Sequence, residues 1–216
     1  MSLFTAQAGL SFPALLSEKY RPHELAEFVA LEKPKRVLGK FADAPFETSF
    51  LFIGPSGTGK TSMALALAEK IRAEIHHIPS QKCTVGEIDD TVRRCWYVPQ
   101  NGTFHVCIVD EADRMSNAAQ LALLSKLDST AKAPRTIWIF TCNSTDGLEP
   151  RFLSRTMQLE FQSHGIAKEA ANLLERIWIA EAGESAQRPN FLRIVQDGKN
   201  NVRDAVNSLQ VELLAL

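Results

Sequence analysis

Closely spaced cysteine pairs are missing from this sequence. Its four cysteines, Cys83, Cys95, Cys107 and Cys142, lie 12, 12 and 35 residues apart, which excludes the short Cys-x-x-Cys spacing of a zinc finger or a redox dithiol. Cys107 and Cys142 fall inside apolar runs and are expected to pack in the core, and the set fits a reducing cytoplasm. No window approaches about 18 uninterrupted apolar residues, and no basic stretch precedes an apolar one near the start, so neither a membrane span nor a secretion signal is expected. A net charge of −1 gives no broadly basic surface for nucleic acid, although an assembled ring can concentrate charge that one chain does not show. Internal repeats and low-complexity segments are also lacking. What remains is an ordinary globular composition, 216 residues with 45% hydrophobic, enough for one large domain or one domain with a small appendage.

The stretch around which the chain is organised is Phe50-Leu-Phe-Ile-Gly-Pro-Ser-Gly-Thr-Gly-Lys-Thr-Ser62. It reads as an apolar strand, a phosphate-cradling loop and the start of a helix. Gly54, Gly57 and Gly59, with Pro55, Ser56 and Thr58 between them, allow successive backbone N–H groups to converge on phosphate oxygens. Lys60 supplies a compact positive charge for the β- and γ-phosphates of a nucleotide, and the Thr61 hydroxyl is suited to a Mg²⁺ ion. Ala64, Leu65, Leu67, Ala68 and Ile71 then recur at helical spacing, so the helix beginning at Thr61 and Ser62 points its dipole at the anion.

Four further apolar runs follow. Ile75–Ile78 is a short strand ending at Pro79, and its two histidines, His76 and His77, alternate across the pleat and so cannot readily share a metal, and metal ligation by them is not expected. Val85–Tyr97 is expected to be a helix with Val85, Ile88, Val92 and Cys95/Trp96 buried. Phe104–Val109 ends in Asp110-Glu111, which is how a buried parallel strand delivers carboxylates to the ligand-binding edge of an open α/β sheet. Asp110 is placed to orient Mg²⁺ through water, and Glu111 to polarise an attacking water; the 50 residues between Lys60 and Asp110, filled by one strand–helix unit, make the two motifs far more specific together than apart. Met115–Leu127 is a helix with Leu121, Leu124 and Leu127 apolar, and 131–135 a loop. Thr136–Asn143 is a fourth strand, with Asn143 at its tip able to hold a nucleophilic water or a γ-phosphate. Pro150–Arg155 brings two guanidinium groups, Arg151 and Arg155, to the start of a fifth strand, Met157–Phe161.

The ends are helical or irregular. Residues 1–17 read as an extended arm or a short helix. In Ser17-Glu-Lys-Tyr20-Arg21-Pro22, a tyrosine and an arginine precede a helix-disfavouring proline; the pair fits either the border of an adenine ring or a surface turn packed by one tyrosine. Glu32–Ala42 is a helix whose lysines and Arg36 form a solvated face. From about Ser163 the pattern is wholly helical, with stops at Gly183 and Gly198 and a third helix capped by Asn200 or Asn201. Arg203 stands in that helix's first turn, where a cation opposes the dipole, which suits a functional arginine as well as an ordinary surface one. We therefore expect an α/β domain over 1–162 and a helical lid over 163–216.

The ordered set of motifs resembles the AAA+ ATPases, and among them the clamp-loader small subunits of the replication factor C type. The resemblance covers about residues 17–212 and rests on Glu18-Lys-Tyr-Arg-Pro22, Gly54–Thr61, Asp110-Glu-Ala-Asp113, Thr141-Cys-Asn143, Ser154-Arg155 and Asn201-Val-Arg203. It implies a five-stranded parallel sheet between helices, followed by a small helical lid. It also implies an ATP and Mg²⁺ site at which Tyr20 and Arg21 border the adenine and Asn143 is the sensor-1 residue. Arg155 would be the arginine finger acting in trans on a neighbour's ATP, and Arg203 the sensor-2 arginine of the lid. The implied partners are other AAA+ subunits, a sliding clamp and primer–template DNA.

Departures from the family pattern are Thr156 after Ser154-Arg155 in place of cysteine, Val29-Ala30-Leu31 in place of Val-Gly-Gln, and Asn200 in place of the glycine before Arg203. Pro79 stands where the family often carries an asparagine that restrains the catalytic glutamate until DNA binds, with Ser80 a substitute for it. The chain as given ends with the lid, so the family's helical collar is expected to be missing. Two other readings therefore stand beside that of a clamp-loader-like ATPase: a nucleotide-dependent switch or assembly subunit with little turnover of its own, and a DNA-remodelling motor of the Holliday-junction type.

Overall fold

The computed structural model describes residues 14–100, 102–128, 132–162 and 165–216. A five-stranded sheet lies at its centre, built from β1 (Thr48–Ile53), β2 (Glu74–Pro79), β3 (His105–Asp110), β4 (Thr136–Cys142) and β5 (Met157–Glu160) in the spatial order β2-β3-β4-β1-β5. All neighbours run parallel, as expected for strands alternating with helices. This is the expected α/β architecture, and its order puts the loop after β1 beside the ends of β3 and β4.

Strand pleat decides which helices cover which residues. Phe50, Phe52, Val106, Ile108, Ile137 and Ile139 face α2 (Glu32–Asp43) and α3 (Lys60–Lys70). The alternate residues Leu51, Cys107, Val109, Trp138 and Phe140 face α4 (Val85–Cys95), α5 (Asn117–Leu127) and the short α6 (Pro150–Leu153). Both sets are buried on both faces of the three central strands, which is why those strands read as continuous apolar runs. All four cysteines are buried and unbridged, Cys107 and Cys142 in the core as expected.

The C-terminal helices α7 (Ala167–Ala182), α8 (Phe191–Asp197) and α9 (Val202–Leu214) form a third cluster around Leu174, Trp178, Val195 and Leu209. Gly183 and Gly198 are the C-caps of α7 and α8, and Asn201, not Asn200, caps α9 by accepting a hydrogen bond from the Asp204 N–H at 3.2 Å. These helices are the small lid that the sequence implies. One turn, α1 (Leu16–Lys19), packs Leu16 into the lid cluster; the rest of the arm expected over 1–17 lies outside the described residues, as do residues 129–131 of the loop before β4 and the 163–164 junction. No helix among the described residues is long and apolar enough to cross a membrane.

Some local expectations need correction. The helix expected over 85–97 stops at Cys95, and its stripe is narrower than the spacing implied: Ile88, Val92 and Cys95 are buried, whereas Val85 and Trp96 are exposed. Val85 is the first residue after the Thr84 N-cap and Trp96 is the C-cap, so neither is held over the sheet. The helix expected from Met115 begins at Asn117, because Ser116 caps it through the Ala119 N–H. Leu121 is solvent-facing, and Leu123 takes the buried position.

Candidate functional site

A cavity of about 1100 Å³ opens at the C-terminal edge of the sheet, between the β1–α3 loop and the lid. The loop gets its shape from glycine. A Cβ on Gly54 would lie 2.1 Å from the Phe161 carbonyl oxygen, and one on Gly57, where φ is +75°, would lie 1.8 Å from Asn201 Oδ1. Only glycine permits these approaches, so the loop is locked to β5 on one side and to the cap of α9 on the other.

Lys60 is the first residue of α3 and is buried. Its ammonium donates to the Gly54 carbonyl at 2.6 Å, the Pro55 carbonyl at 2.8 Å and Asn143 Oδ1 at 3.1 Å, so all three donors are engaged. Burial lowers its pKa; the Asp113 and Asp110 carboxylates oppose the shift, and the Arg203 guanidinium adds to it. Asn143, immediately after β4, is thereby tied to the loop lysine.

Thr61 donates its hydroxyl to Asp110 Oδ1 at 2.7 Å, and Thr141 of β4 donates to the same oxygen at 3.0 Å. Thr141 also accepts from the Glu111 N–H at 3.2 Å. That contact matters because Glu111 holds a left-handed backbone, φ +53°, which is uncommon for a non-glycine residue and costs about 1–3 kcal/mol. Its carboxylate faces solvent at the cavity, 3.3 Å from the Arg114 guanidinium. On the other Asp110 oxygen, His77 makes a short hydrogen bond from β2. Thr141 and His77 escaped sequence reasoning: Thr141 reads as one more residue of an apolar strand, and His77 reaches Asp110 only through the β2–β3 register. Pro79 lies opposite Asp110 in the register, but the side chain that reaches the carboxylate from this strand is that of His77, two residues earlier.

Tyr20 and Arg21 both line the cavity. Tyr20 donates its hydroxyl to Glu181 of α7, and Arg21 Nε donates to Ser62 Oγ at 3.1 Å. The segment thus spans the lid and α3. Burial, then the hydrogen bond and charge of Glu181, push the Tyr20 phenol up to about 12. Arg203 of α9 lines the same cavity. Arg155 does not: it donates to the Arg151 carbonyl at 2.9 Å and lies 3.5 Å from Asp128 at the C-terminal end of α5. The Ser80 side chain lies outside the described parts of the structure.

A parallel sheet whose strand tips hold a glycine loop, a buried lysine and a threonine–aspartate pair defines a P-loop nucleotide-binding protein. Residues 50–163 match the ATPase family associated with various cellular activities (AAA), and the chain belongs to that family. It is 31% identical over 202 residues to replication factor C small subunit 2 of Pyrobaculum aerophilum, a match covering 90% of this chain and 62% of that protein. It is 30% identical over 211 residues to replication factor C subunit 3 of Saccharomyces cerevisiae, covering 89% and 58% respectively. The chain thus spans less than two thirds of the length of these relatives. Among solved structures, the Thermotoga maritima RuvB Holliday junction branch migration motor superposes with a TM-score of 0.70 at 20% identity, over 88% of this chain and 64% of that one, a likeness of fold.

Proposed function

We propose that this chain is a Mg²⁺- and ATP-binding AAA+ module that works as one subunit of an oligomer and turns over little ATP alone. The observation that carries this reading is the convergence of Lys60, Thr61, Asp110, Glu111 and Asn143 on one cavity from which Arg155 of the same chain is absent. The residues present fit the two ligands. The loop brings the N-terminus of α3 to the cavity, where free backbone N–H groups suit an anion, and the Thr61 hydroxyl and Asp110 carboxylate, 2.7 Å apart, are the hard oxygen donors that Mg²⁺ prefers.

In this reading Pro55, Ser56, Gly57, Thr58, Gly59 and Ser62 surround the phosphates with backbone and hydroxyl groups. Lys60 exchanges one of its carbonyl acceptors for a phosphate oxygen. Thr61 and Asp110 hold the Mg²⁺ ion, whose chemistry when bound is neutralisation of phosphate charge. Tyr20 and Arg21 border the base, and Asn143 and Glu111 orient and polarise the attacking water. Arg155 serves the site of a neighbouring subunit; such arginines contribute roughly 10³–10⁵ in rate. The αβα domain over 1–162 holds the phosphates, and the lid over 163–216 brings Arg203 over them. The replication factor C relatives support a clamp-loader-like role in DNA replication or repair, with other AAA+ subunits, a sliding clamp and primer–template DNA as partners. The four unbridged cysteines suit the cytoplasm.

Calorimetry with Mg²⁺-ATP on the purified chain tests the reading. Binding is expected in wild type and in Glu111→Gln and is abolished in Lys60→Ala, with turnover per chain close to zero unless protein concentration or added AAA+ subunits raise it. Absence of Mg²⁺-ATP affinity overturns the proposal, and brisk turnover independent of concentration overturns its oligomeric half.

A further inference from the structure

On the face of the sheet away from the P-loop, His76, Cys95 and His105 converge, with one ring nitrogen of each histidine and Cys95 Sγ all within 4.8 Å of one another. They come from three elements. In the parallel register His76 lies opposite Cys107, His105 is the first residue of β3, and Cys95 is the last residue of α4. The pleat that sends His77 toward Asp110 sends its neighbour His76 to the opposite face, where α4 ends. The two adjacent histidines face opposite sides, as their alternation implies; the partner of His76 is on the next strand, which spacing within β2 does not reveal.

The arrangement has the features of a cation site. The two ring nitrogens His76 Nε2 and His105 Nδ1 are 3.0 Å apart, close to the roughly 3.4 Å edge of a tetrahedron with metal–nitrogen bonds of about 2.0–2.1 Å. His105 is almost wholly buried and uses its other nitrogen, Nε2, against the Tyr97 carbonyl at 3.0 Å. Donating there fixes the tautomer that leaves Nδ1 a lone pair aimed at His76 and Cys95, the outer-sphere arrangement common to ligating histidines. Cys95 is also buried, and its sulfur sits 3.6 Å from Cys107 Sγ. His76 is only partly buried and marks the open side.

We propose that His76, Cys95 and His105 form a binding site for a zinc-like divalent cation, separate from the nucleotide site, that staples the edge strand β2 and the end of α4 to β3. Two imidazoles and one thiolate make a borderline-soft donor set that selects zinc over magnesium or calcium. Three protein ligands leave a fourth position, filled by water on the His76 side or by Cys107 after a small movement. Binding requires the Cys95 thiol to lose its proton, which is released as the ion enters, and neutral His76 to carry its proton on Nδ1 so that Nε2 is free to ligate.

Cobalt(II) alone, added to the full chain after chelator treatment, is the probe. One cobalt per chain is expected with an intense thiolate-to-cobalt charge-transfer band in the near ultraviolet, and that band should vanish in Cys95→Ser and lose at least tenfold in affinity in His105→Gln. It should persist in Cys83→Ser and in Asp110→Asn, which separates it from any ion at the nucleotide site. Zinc should also raise the thermal midpoint of wild type by about 5 °C and leave that of Cys95→Ser unchanged. If cobalt shows no thiolate band in the wild-type chain, or if the band survives Cys95→Ser, the proposal is wrong. If Cys95→Ser fails to fold, the His105→Gln titration decides: an unchanged cobalt affinity overturns the proposal.

Discussion

Replacing Thr141 with valine removes one hydroxyl of nearly constant side-chain volume and with it two hydrogen bonds: the one donated to Asp110 Oδ1 at 3.0 Å and the one accepted from the Glu111 N–H at 3.2 Å. Thr141 is almost wholly buried but lines the cavity, and both bonds are only part-buried, so water at the cavity takes up part of what the hydroxyl supplied. A hydrogen bond to a charged partner is worth about 1.5–3 kcal/mol and a neutral one about 0.5–1.5 kcal/mol. The added apolar burial of a methyl returns under about 1 kcal/mol, leaving a net loss of about 1–3 kcal/mol. With a urea slope of about 2–3 kcal/mol/M for a chain of this size, the unfolding midpoint followed by circular dichroism should fall by about 1 M. Thr141→Ser keeps the hydroxyl and should fall by less than half as much. Equal stability of Thr141→Val and wild type would refute the reasoning, and so would serine being as damaging as valine, because then packing and not the hydroxyl would set the cost. The loss should also reach the site, since the same hydroxyl supports the left-handed turn at Glu111.

Gly57→Ala should lower stability by about 1–3 kcal/mol, the cost of a left-handed alanine plus displacement of the Asn201 cap. The new Cβ would lie 1.8 Å from Asn201 Oδ1, so nucleotide affinity should drop with it; urea unfolding and calorimetry report the two effects, and an unchanged midpoint would contradict the geometry. Hydrogen bonds from Lys19 and then Tyr20 hold the Glu181 carboxyl below the usual carboxylate range. A group whose folded pKa is depressed contributes stability above its unfolded pKa, about 4.3, and loses it as pH falls through the lower folded value. The tie between the Tyr20 segment and α7 should therefore weaken in that acidic window, and Glu181→Gln should flatten the pH dependence of lid stability measured by hydrogen exchange. An identical acid slope in the variant would show that the tie is not electrostatic.

The five strands and the lid were legible because each rests on a short-range signal: β1, β3 and β4 are apolar on both faces, α7 and α8 stop at Gly183 and Gly198, and α9 starts at its Asn201 cap. The loop lysine, Thr61 and Asp110 were legible for a different reason, since phosphate and metal chemistry demand those side chains at fixed positions. What escaped depends on contacts between segments far apart in sequence. Nothing local to Thr141 distinguishes it from its apolar neighbours, and only the register of β3 on β4 brings it to Asp110. His77 and His76 alternate as read, but their partners, Asp110 and His105, follow from which strand lies alongside. Spacing along α4 likewise overstated its buried stripe, because periodicity does not reveal where a helix runs off the edge of a sheet.

Strand β3 carries His105 at one end on one face and Asp110 at the other end on the opposite face. Five residues at about 3.3 Å each make it a spacer of roughly 16 Å. The strand is buried along its length, so dissolved salt does little to damp a field running through it. A cation at the histidine–cysteine cluster therefore has two routes to the nucleotide edge, its field through the core and displacement of β3 along its own axis, with the strand acting as a push rod.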